Sequence, residues 1–219
     1  MHENEYRFVF EKTGRLKFIS HLDLLRTMQR VFARAETPIE YSQGFNPHPQ
    51  MTFALPLSVG MESVCEILDV RLTRPIDCEA EKEKINATMP ECLKLHEIYL
   101  PERKASEVRF AEYVIALSYG SDSERANEIL QTLFDSPVIV LKKTKSGEKE
   151  TDIVPFIKRT KGALVEGRIK WKLICYAGND AYLNPFYAIT ALSEKVGKEP
   201  EEVRIVRTRV FDEKGKEFR

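Results

Sequence analysis

The strongest constraint on the fold is an order of strand-like and helix-like periodicities that occurs twice along the chain. Strands alternate apolar and polar residues, whereas amphipathic helices repeat apolar residues every three or four positions. Ser20 has the position of a helix N-cap, with Asp23 three residues later. The first set comprises, in chain order, strand 5–11, a helix from Ser20 to near Thr37, strands 52–57 and 65–72, helix 77–87 and strand 92–100.

The same order follows in the second half, where Asn184 precedes Pro185 at the start of the last helix. This set comprises strand 108–119, a helix through Phe134, strand 138–141, a long strand 163–176, helix 184–197 and strand 202–211. The order matches the split β-α-β unit of ferredoxin-like folds. We therefore predict an α+β fold of two tandem ferredoxin-like (βαββαβ) units with antiparallel sheets. The predicted domains are residues 1–103 and 104–219, joined near residues 101–107.

The overall charge favours no polyanionic partner. Lysine and arginine total 34, as do aspartate and glutamate, so any case for nucleic acid must rest on local patches. The apolar runs are far shorter than the ~20 residues of a membrane-spanning helix. Residues 1–7 lack the apolar core of a signal peptide. We therefore expect a cytoplasmic protein that does not bind a membrane.

The first predicted helix carries a basic face. Arg26, Arg30 and Arg34 are four residues apart, which places three guanidinium groups along one side of the helix. They lie opposite a predicted apolar arc that comprises Leu22, Leu24, Leu25, Met28, Val31 and Phe32. This face predicts binding of an anionic partner. The alternative is an ordinary solvated face on which Asp23 partly neutralises Arg26.

A second basic patch lies at residues 142–172, which hold ten lysines and arginines but four acidic residues. Within it, Arg168, Lys170 and Lys172 alternate with the residues that share a face with Trp171. A basic strip on an open sheet suits contacts with phosphate groups. The alternative is a sheet edge that lysines protect from pairing with other chains.

The segment Tyr41–Pro49 is predicted to be a loop, because it holds one glycine and two prolines. Aromatic rings stack on unpaired bases and amides read base edges, so the loop suits single-stranded RNA. It suits a protein interface almost equally well. A third interpretation places Phe45 in the core. The binding candidates in the loop are Tyr41, Gln43, Phe45, Asn46 and His48.

Acid–base chemistry has weak candidates only. His21 and His48, with Ser20, could form a small catalytic or phosphate-binding group, but no spacing brings the two histidines within hydrogen-bonding reach. Neither cysteine nor histidine pairs have the spacing of a metal site. We therefore predict no metal site and no firm catalytic residue.

Three segments resemble a known family. They are Phe18–Arg26 (FISHLDLLR), Tyr41–Pro49 (YSQGFNPHP) and Leu55–Gly60 (LPLSVG), and together they are similar to the radical-SAM-linked family of unknown function. That family occurs beside or fused to radical SAM proteins, so the resemblance implies a radical SAM partner more than an activity.

The chain itself lacks the cysteines that radical chemistry needs. A radical SAM cluster needs three closely spaced cysteine thiolates, whereas the four cysteines, at positions 65, 78, 92 and 175, are 13, 14 and 83 residues apart. We therefore expect no cofactor in this chain.

These observations predict an RNA-binding or substrate-presenting accessory protein that acts with a radical SAM enzyme in RNA modification. A second hypothesis is a metal-independent endoribonuclease or RNA-processing enzyme that uses His21 and His48. A third is a protein-interaction adaptor without RNA binding. The sequence favours a protein that is not itself an enzyme.

Overall fold

A computed structural model of the chain describes residues 4–144, 147–178 and 180–218. These residues form two compact units, and the boundary lies between Val108 and Arg109, just after the predicted join. Glu217 and Phe218 return to the first unit. The α+β class with antiparallel strand pairing is confirmed. No helix in the described part of the chain is long and apolar enough to cross a membrane.

The first unit contains a four-stranded antiparallel sheet with the order β4-β1-β3-β2. Its elements are β1 (Glu5–Lys12), α1 (His21–Arg34), β2 (Met51–Phe53), β3 (Glu62–Arg71), α2 (Cys78–Thr88) and β4 (Leu93–Tyr99). Short 3-10 helices cover Gly14–Phe18 and Ala105–Glu107. The order of elements along the chain is the predicted one.

The core of the first unit forms where α1 packs on one face of the sheet. Phe8 of β1 and Phe32 of α1 meet edge to face, with their ring centroids 5.4 Å apart. Leu22 was expected in this core, but its side chain is 60% exposed. At 100° per residue, Leu22 lies about 160° around the helix from the buried Leu24, so it faces away from the sheet.

The second unit contains a four-stranded antiparallel sheet with the order β10-β5-β9-β8. Its elements are β5 (Phe110–Ser118), α3 (Ser123–Thr132), β6 (Ile139–Thr144), β7 (Gly147–Asp152), β8 (Ile157–Val165), β9 (Arg168–Tyr176), α4 (Pro185–Val196) and β10 (Glu202–Phe211). Strands β6 and β7 pair with each other in a separate two-stranded sheet.

One strand prediction in this unit was wrong, and another strand was confirmed but lies in a different sheet from the expected one. The predicted long strand 163–176 is two strands, because Glu166 and Gly167 both have positive φ, 50° and 72°, and turn the chain back. Positive φ at both central residues is the geometry of a tight hairpin turn. The predicted strand 138–141 is the start of β6 and lies outside the four-stranded sheet.

The alternation predicted along β9 is confirmed. Ile169, Trp171, Leu173 and Cys175 are buried on the face that packs against the helices. Trp171 is fully buried, stacks with Phe134, and its indole N–H donates to Thr160 Oγ1 at 2.7 Å. The alternate residues of β9 therefore lie on the opposite, helix-free face of the sheet.

Candidate nucleic-acid interface

The loop Tyr41–Pro49 is closed at its base by local hydrogen bonds. Tyr41 and Pro49 form an isolated bridge, and the Ser42 N–H donates to the His48 carbonyl at 2.9 Å. The Ser42 hydroxyl also lies 2.8 Å from Nδ1 of the His48 ring. These bonds present Phe45 to solvent, where its side chain is fully exposed. The interpretation that places Phe45 in the core is therefore wrong.

Large apolar side chains are exposed throughout the family-like segments. We call them the motif surface, and they are Phe18, Leu22, Tyr41, Phe45 and Val59, each at least half exposed. The Gly60 N–H donates to the Lys17 carbonyl at 2.7 Å, which holds the segments that carry Val59 and Phe18 next to each other. Contiguous exposed apolar side chains are typical of interaction sites, and this bond brings together the part of the motif surface that holds Phe18 and Val59.

The three catalytic candidates are held by separate contacts. The Ser20 hydroxyl caps α1 by accepting from the Asp23 N–H and donates to the Asp23 carboxylate at 2.7 Å, and this bond lowers the pKa of Asp23. His21 packs edge-on against Phe53, with centroids 5.0 Å apart. Among the described residues, no hydrogen bond, ion pair or ring contact joins His21 to His48. The structure does not assemble these side chains into a catalytic group.

The arginine face of α1 is exposed along its whole length. Arg26 forms a 3.4 Å ion pair with Asp23, as the sequence indicated, and both side chains are more than half exposed. Arg30 and Arg34 form no ion pair with any other described residue. Exposed pairs of this kind contribute little to stability. The exposed face is an accessible cationic strip that extends to Arg34, the last residue of α1.

The second unit carries its basic residues on the helix-free face of the sheet, which we call the open face. Arg168, Lys170 and Lys172 of β9 are all exposed there. Arg168 pairs with Glu202 at 2.8 Å, and Lys172 lies 3.6 Å from the Glu112 carboxylate. Lys170 faces Ala163 and Ala116 on its two neighbouring strands, so no acidic side chain lies directly opposite it.

Lys161 on β8 belongs to the predicted basic patch at 142–172, but its position beside β9 was not predicted. It lies directly opposite Lys172 across the β8–β9 pair, and both side chains are exposed. Like charges directly opposite each other destabilise a sheet. Neither Lys161 nor Lys170 forms an ion pair within the described part of the chain. Edge protection would account for Lys161 on the outer strand β8, but Lys170 and Lys172 lie on an inner strand.

A cavity of about 290 Å³ opens on the same face. Phe110, Ile174 and Phe211 form its apolar walls, and the buried Glu112 lines it between β9 and β10. The residues around it that carry positive charge are Lys158, Arg159 and Arg209. Sequence patterns did not predict the cavity, because its lining comes from four strands that are distant along the chain.

The first unit has a different arrangement on its helix-free face. Arg7 is fully buried and forms two hydrogen bonds with the Asp69 carboxylate, at 2.7 and 2.8 Å, and a third with the Arg103 carbonyl at 3.0 Å. The guanidinium groups of Arg7 and Arg103 both lie over the Phe218 ring, 5.0 and 4.6 Å from its centroid. These contacts all lie within the first unit, and the pair lines a cavity of about 380 Å³.

No group of three or more histidine, cysteine, aspartate or glutamate side chains in the described ranges is arranged to hold a metal ion. None of the four cysteines, all within the described ranges, forms a disulfide. Burial raises the pKa of the Cys175 thiol to about 12, so this cysteine is an inert core residue.

No curated protein matches the sequence. The chain is 14% identical to a chain in a crystal structure of a Cbf5-Nop10-Gar1 complex, with a TM-score of 0.48. That match covers 94% of this chain and 50% of the other, so this chain spans half the length of that one. An unknown protein from Galdieria sulphuraria is 10% identical, with a TM-score of 0.28 and coverage of 92% and 95%. At these TM-scores neither likeness bears on function.

A family model, in contrast, matches residues 5–185, which include all three motif segments and the open-face strands β8 and β9. Because this match covers most of the chain, the chain belongs to the family described as "Uncharacterized protein conserved in bacteria (DUF2344)".

Proposed function

We propose that this chain is an RNA-binding accessory protein and that the open face of the second unit is its RNA-binding surface. The observation that carries the proposal is the uncompensated charge of Lys161 and Lys170, with Lys161 directly opposite Lys172. A polyanion would relieve this repulsion, because each phosphate neutralises a lysine and releases its own counterions. An exposed sheet without a helix above it also gives a nucleic acid strand room to lie across the strands.

The order of strands and helices in the two units also supports RNA binding. Both units have the chain order βαββαβ when the β6–β7 hairpin is treated as an insertion, and both sheets have the first strand between the third and the fourth. On this basis we propose that each unit is ferredoxin-like. Four-stranded sheets with this open face bind single-stranded RNA in other proteins. That comparison is an analogy of fold and transfers no residue roles.

The motif surface favours a second role within the same function, the docking of a protein partner. Phe18, Leu22 and Phe45 are at least 60% exposed, and exposed aromatic side chains are enriched in protein interfaces. We propose that the partner is a radical SAM enzyme, because the motif segments resemble the radical-SAM-linked family. In this proposal the chain holds an RNA with its second unit while a partner docked on the first unit modifies that RNA.

Salt-dependent binding tests the RNA proposal. We expect the purified protein to retain single-stranded RNA at low salt, with an affinity that falls as salt rises. Replacing Lys161 and Lys170 by alanine should make the plot of log affinity against log salt shallower by roughly 1.4, or about 0.7 per lost phosphate contact.

The matched control is a variant with Lys94→Ala and Lys195→Ala, which removes the same charge from exposed positions on β4 and α4. The control should bind RNA like the unchanged protein. An Arg30→Ala variant separates the two basic strips: a loss there, with no loss for the lysine variant, would move the RNA surface to α1. A monodisperse protein that retains no RNA even at low salt would contradict the proposal.

Co-expression tests the docking proposal. The chain would be produced with the radical SAM protein encoded nearest to it in its source genome, and the complex recovered through a tag on that protein. We expect Phe45→Ser to abolish recovery of the complex while RNA binding stays intact. His48→Ala is the milder variant, because it removes only the bond between the His48 ring and the Ser42 hydroxyl and keeps Phe45. If neither change affects recovery of the complex, the partner does not dock on the motif surface.

A further inference from the structure

The cavity on the open face combines features that RNA binding by the lysines alone does not explain. Its volume of about 290 Å³ is near the lower end of the roughly 300–1,000 Å³ that is usual for small-molecule sites. A flat electrostatic surface for a phosphate chain needs no such depression. The cavity is lined by both a buried acid and aromatic rings, which points to a single group with a specific shape.

Glu112 supplies the chemical specificity. Its side chain is 6% exposed, and the Thr208 hydroxyl donates to Oε1 at 2.8 Å. The two nearby cations lie farther away, with Lys172 Nζ 3.6 Å from Oε2 and Arg209 Nε 3.8 Å from Oε1. An ionised carboxylate accepts about four hydrogen bonds. Glu112 therefore retains the capacity to accept two parallel N–H donors from a ligand in the cavity.

The walls and the rim restrict what the ligand can be. Phe110, Ile174 and Phe211 present apolar surface that suits a planar ring. Lys158 Nζ lies 5.6 Å from the centroid of Phe110, and Arg159 and Arg209 are exposed beside it. A guanidinium or amine ligand would offer N–H donors to Glu112, but it would meet three cations on entry. A ligand with a donor edge and a negatively charged tail is favoured.

We infer that this cavity binds a guanine base, with N1–H and the N2 amino group donating to Glu112 and the attached phosphate contacting Arg159. Among the bases, guanine places two donors side by side on its Watson–Crick edge, whereas adenine and cytosine place an acceptor next to their single amino group. This inference rests on the proposed RNA binding and deepens it. The second unit would hold the phosphate chain on its lysines and select a guanine nucleotide through Glu112.

Calorimetric titration with mononucleotides tests the inference. We expect the protein to bind GMP more tightly than AMP. IMP, which lacks the N2 amino group, should bind with intermediate affinity. Glu112→Gln should weaken GMP binding by about tenfold or more, because the amide presents its own donors to those of guanine. AMP binding should not change. Glu202→Gln is the matched control, since Glu202 is an exposed acid paired with Arg168.

Arg159→Ala provides a second variant that does not disturb a buried group. We expect it to weaken binding of GMP but not of guanosine, which has no phosphate. Equal binding of GMP and AMP, or a Glu112→Gln variant that is folded by its melting curve and binds GMP normally, would overturn the inference.

The two proposals fail in different ways. RNA retention through Lys161 and Lys170 without any preference for GMP would leave the proposed function intact and remove the guanine site. Selective GMP binding by a protein that retains no RNA would keep the nucleotide site and remove the proposed RNA function.

Discussion

Basic residues on the helix-free faces of the two units differ in burial and in pairing with acidic residues. In the first unit, Arg7 is fully buried, donates two hydrogen bonds to Asp69 and lies over the Phe218 ring. In the second unit, Lys161 and Lys170 are exposed and lack acidic partners among the described residues. A charge that is neutralised internally contributes to folding, whereas a charge left exposed beside a like charge is available to a ligand. The open face is therefore the better candidate for function.

The motif segments lie in the first unit, whose helix-free face holds the buried Arg7 and its partner Asp69. This arrangement separates two kinds of surface: an apolar one on the family-like segments and a basic one on β8 and β9. A protein partner suits the first and a polyanion suits the second. The segments that resemble the family are therefore not those that carry the exposed lysines without acidic partners.

The largest expected effect on stability comes from a substitution that breaks the buried ion pair. Asp69→Ala should lower the free energy of unfolding by about 3–5 kcal/mol, because it leaves the Arg7 guanidinium buried without its carboxylate. Urea unfolding followed by circular dichroism would measure the change. Glu202→Gln, which removes the partner of the exposed Arg168, should lower it by less than about 1 kcal/mol. Equal losses would remove the contrast between the two faces.

A smaller effect is expected at the start of α1. Ser20→Ala should lower the free energy of unfolding by about 1 kcal/mol, because the Asp23 N–H loses its capping acceptor. Ser20→Asp keeps a capping oxygen and should restore most of that stability. A nuclease assay of both variants separates the capping role from a catalytic one. Unchanged stability in Ser20→Ala would show that the cap contributes nothing.

A change of the opposite sign is expected on the open face. Lys161→Glu should raise the free energy of unfolding by about 0.2–1 kcal/mol, since it replaces a cross-strand repulsion with Lys172 by an attraction. The same variant should weaken RNA binding. Thermal unfolding and RNA retention would be measured on one preparation. A variant that loses stability and keeps its RNA affinity would reverse our interpretation of this face.

The smallest effect on stability is expected on the motif surface. Phe45→Ser should change the free energy of unfolding by no more than about 0.5 kcal/mol, because the ring makes no buried contact. Phe53→Ser is the control, because that ring is buried against His21 and Phe10 and its loss should be clearly destabilising. A large loss of stability in Phe45→Ser would mean that the exposed ring is part of the fold.

Much of the local structure could be predicted from periodicity. The alternation of β9 placed Trp171 in the core and Lys170 on the opposite face, and both positions are as expected. The hairpin between β8 and β9 was missed because its turn is Glu166–Gly167 rather than Asn–Gly or Asp–Gly, the usual sequence signal. Without that turn, Lys161 could not be placed opposite Lys172.

One candidate site could be predicted from local sequence patterns, and another could not. The exposed arginines of α1 follow from helical spacing alone. The cavity does not, because Phe110, Glu112, Ile174 and Phe211 belong to three strands that are brought together by the sheet order. Nothing near Glu112 in the sequence distinguishes it from an ordinary exposed acid in an alternating strand.

The sequence by itself determined the α+β class, the N-caps of α1 and α4 and the inward and outward faces of most strands. These properties depend on neighbours within about four positions, through backbone hydrogen bonds and side-chain periodicity. The tertiary structure alone decided the strand order, the burial of Arg7 with Asp69 and the pairing of Lys161 with Lys172. Those depend on contacts between residues far apart in the chain, which local patterns do not encode.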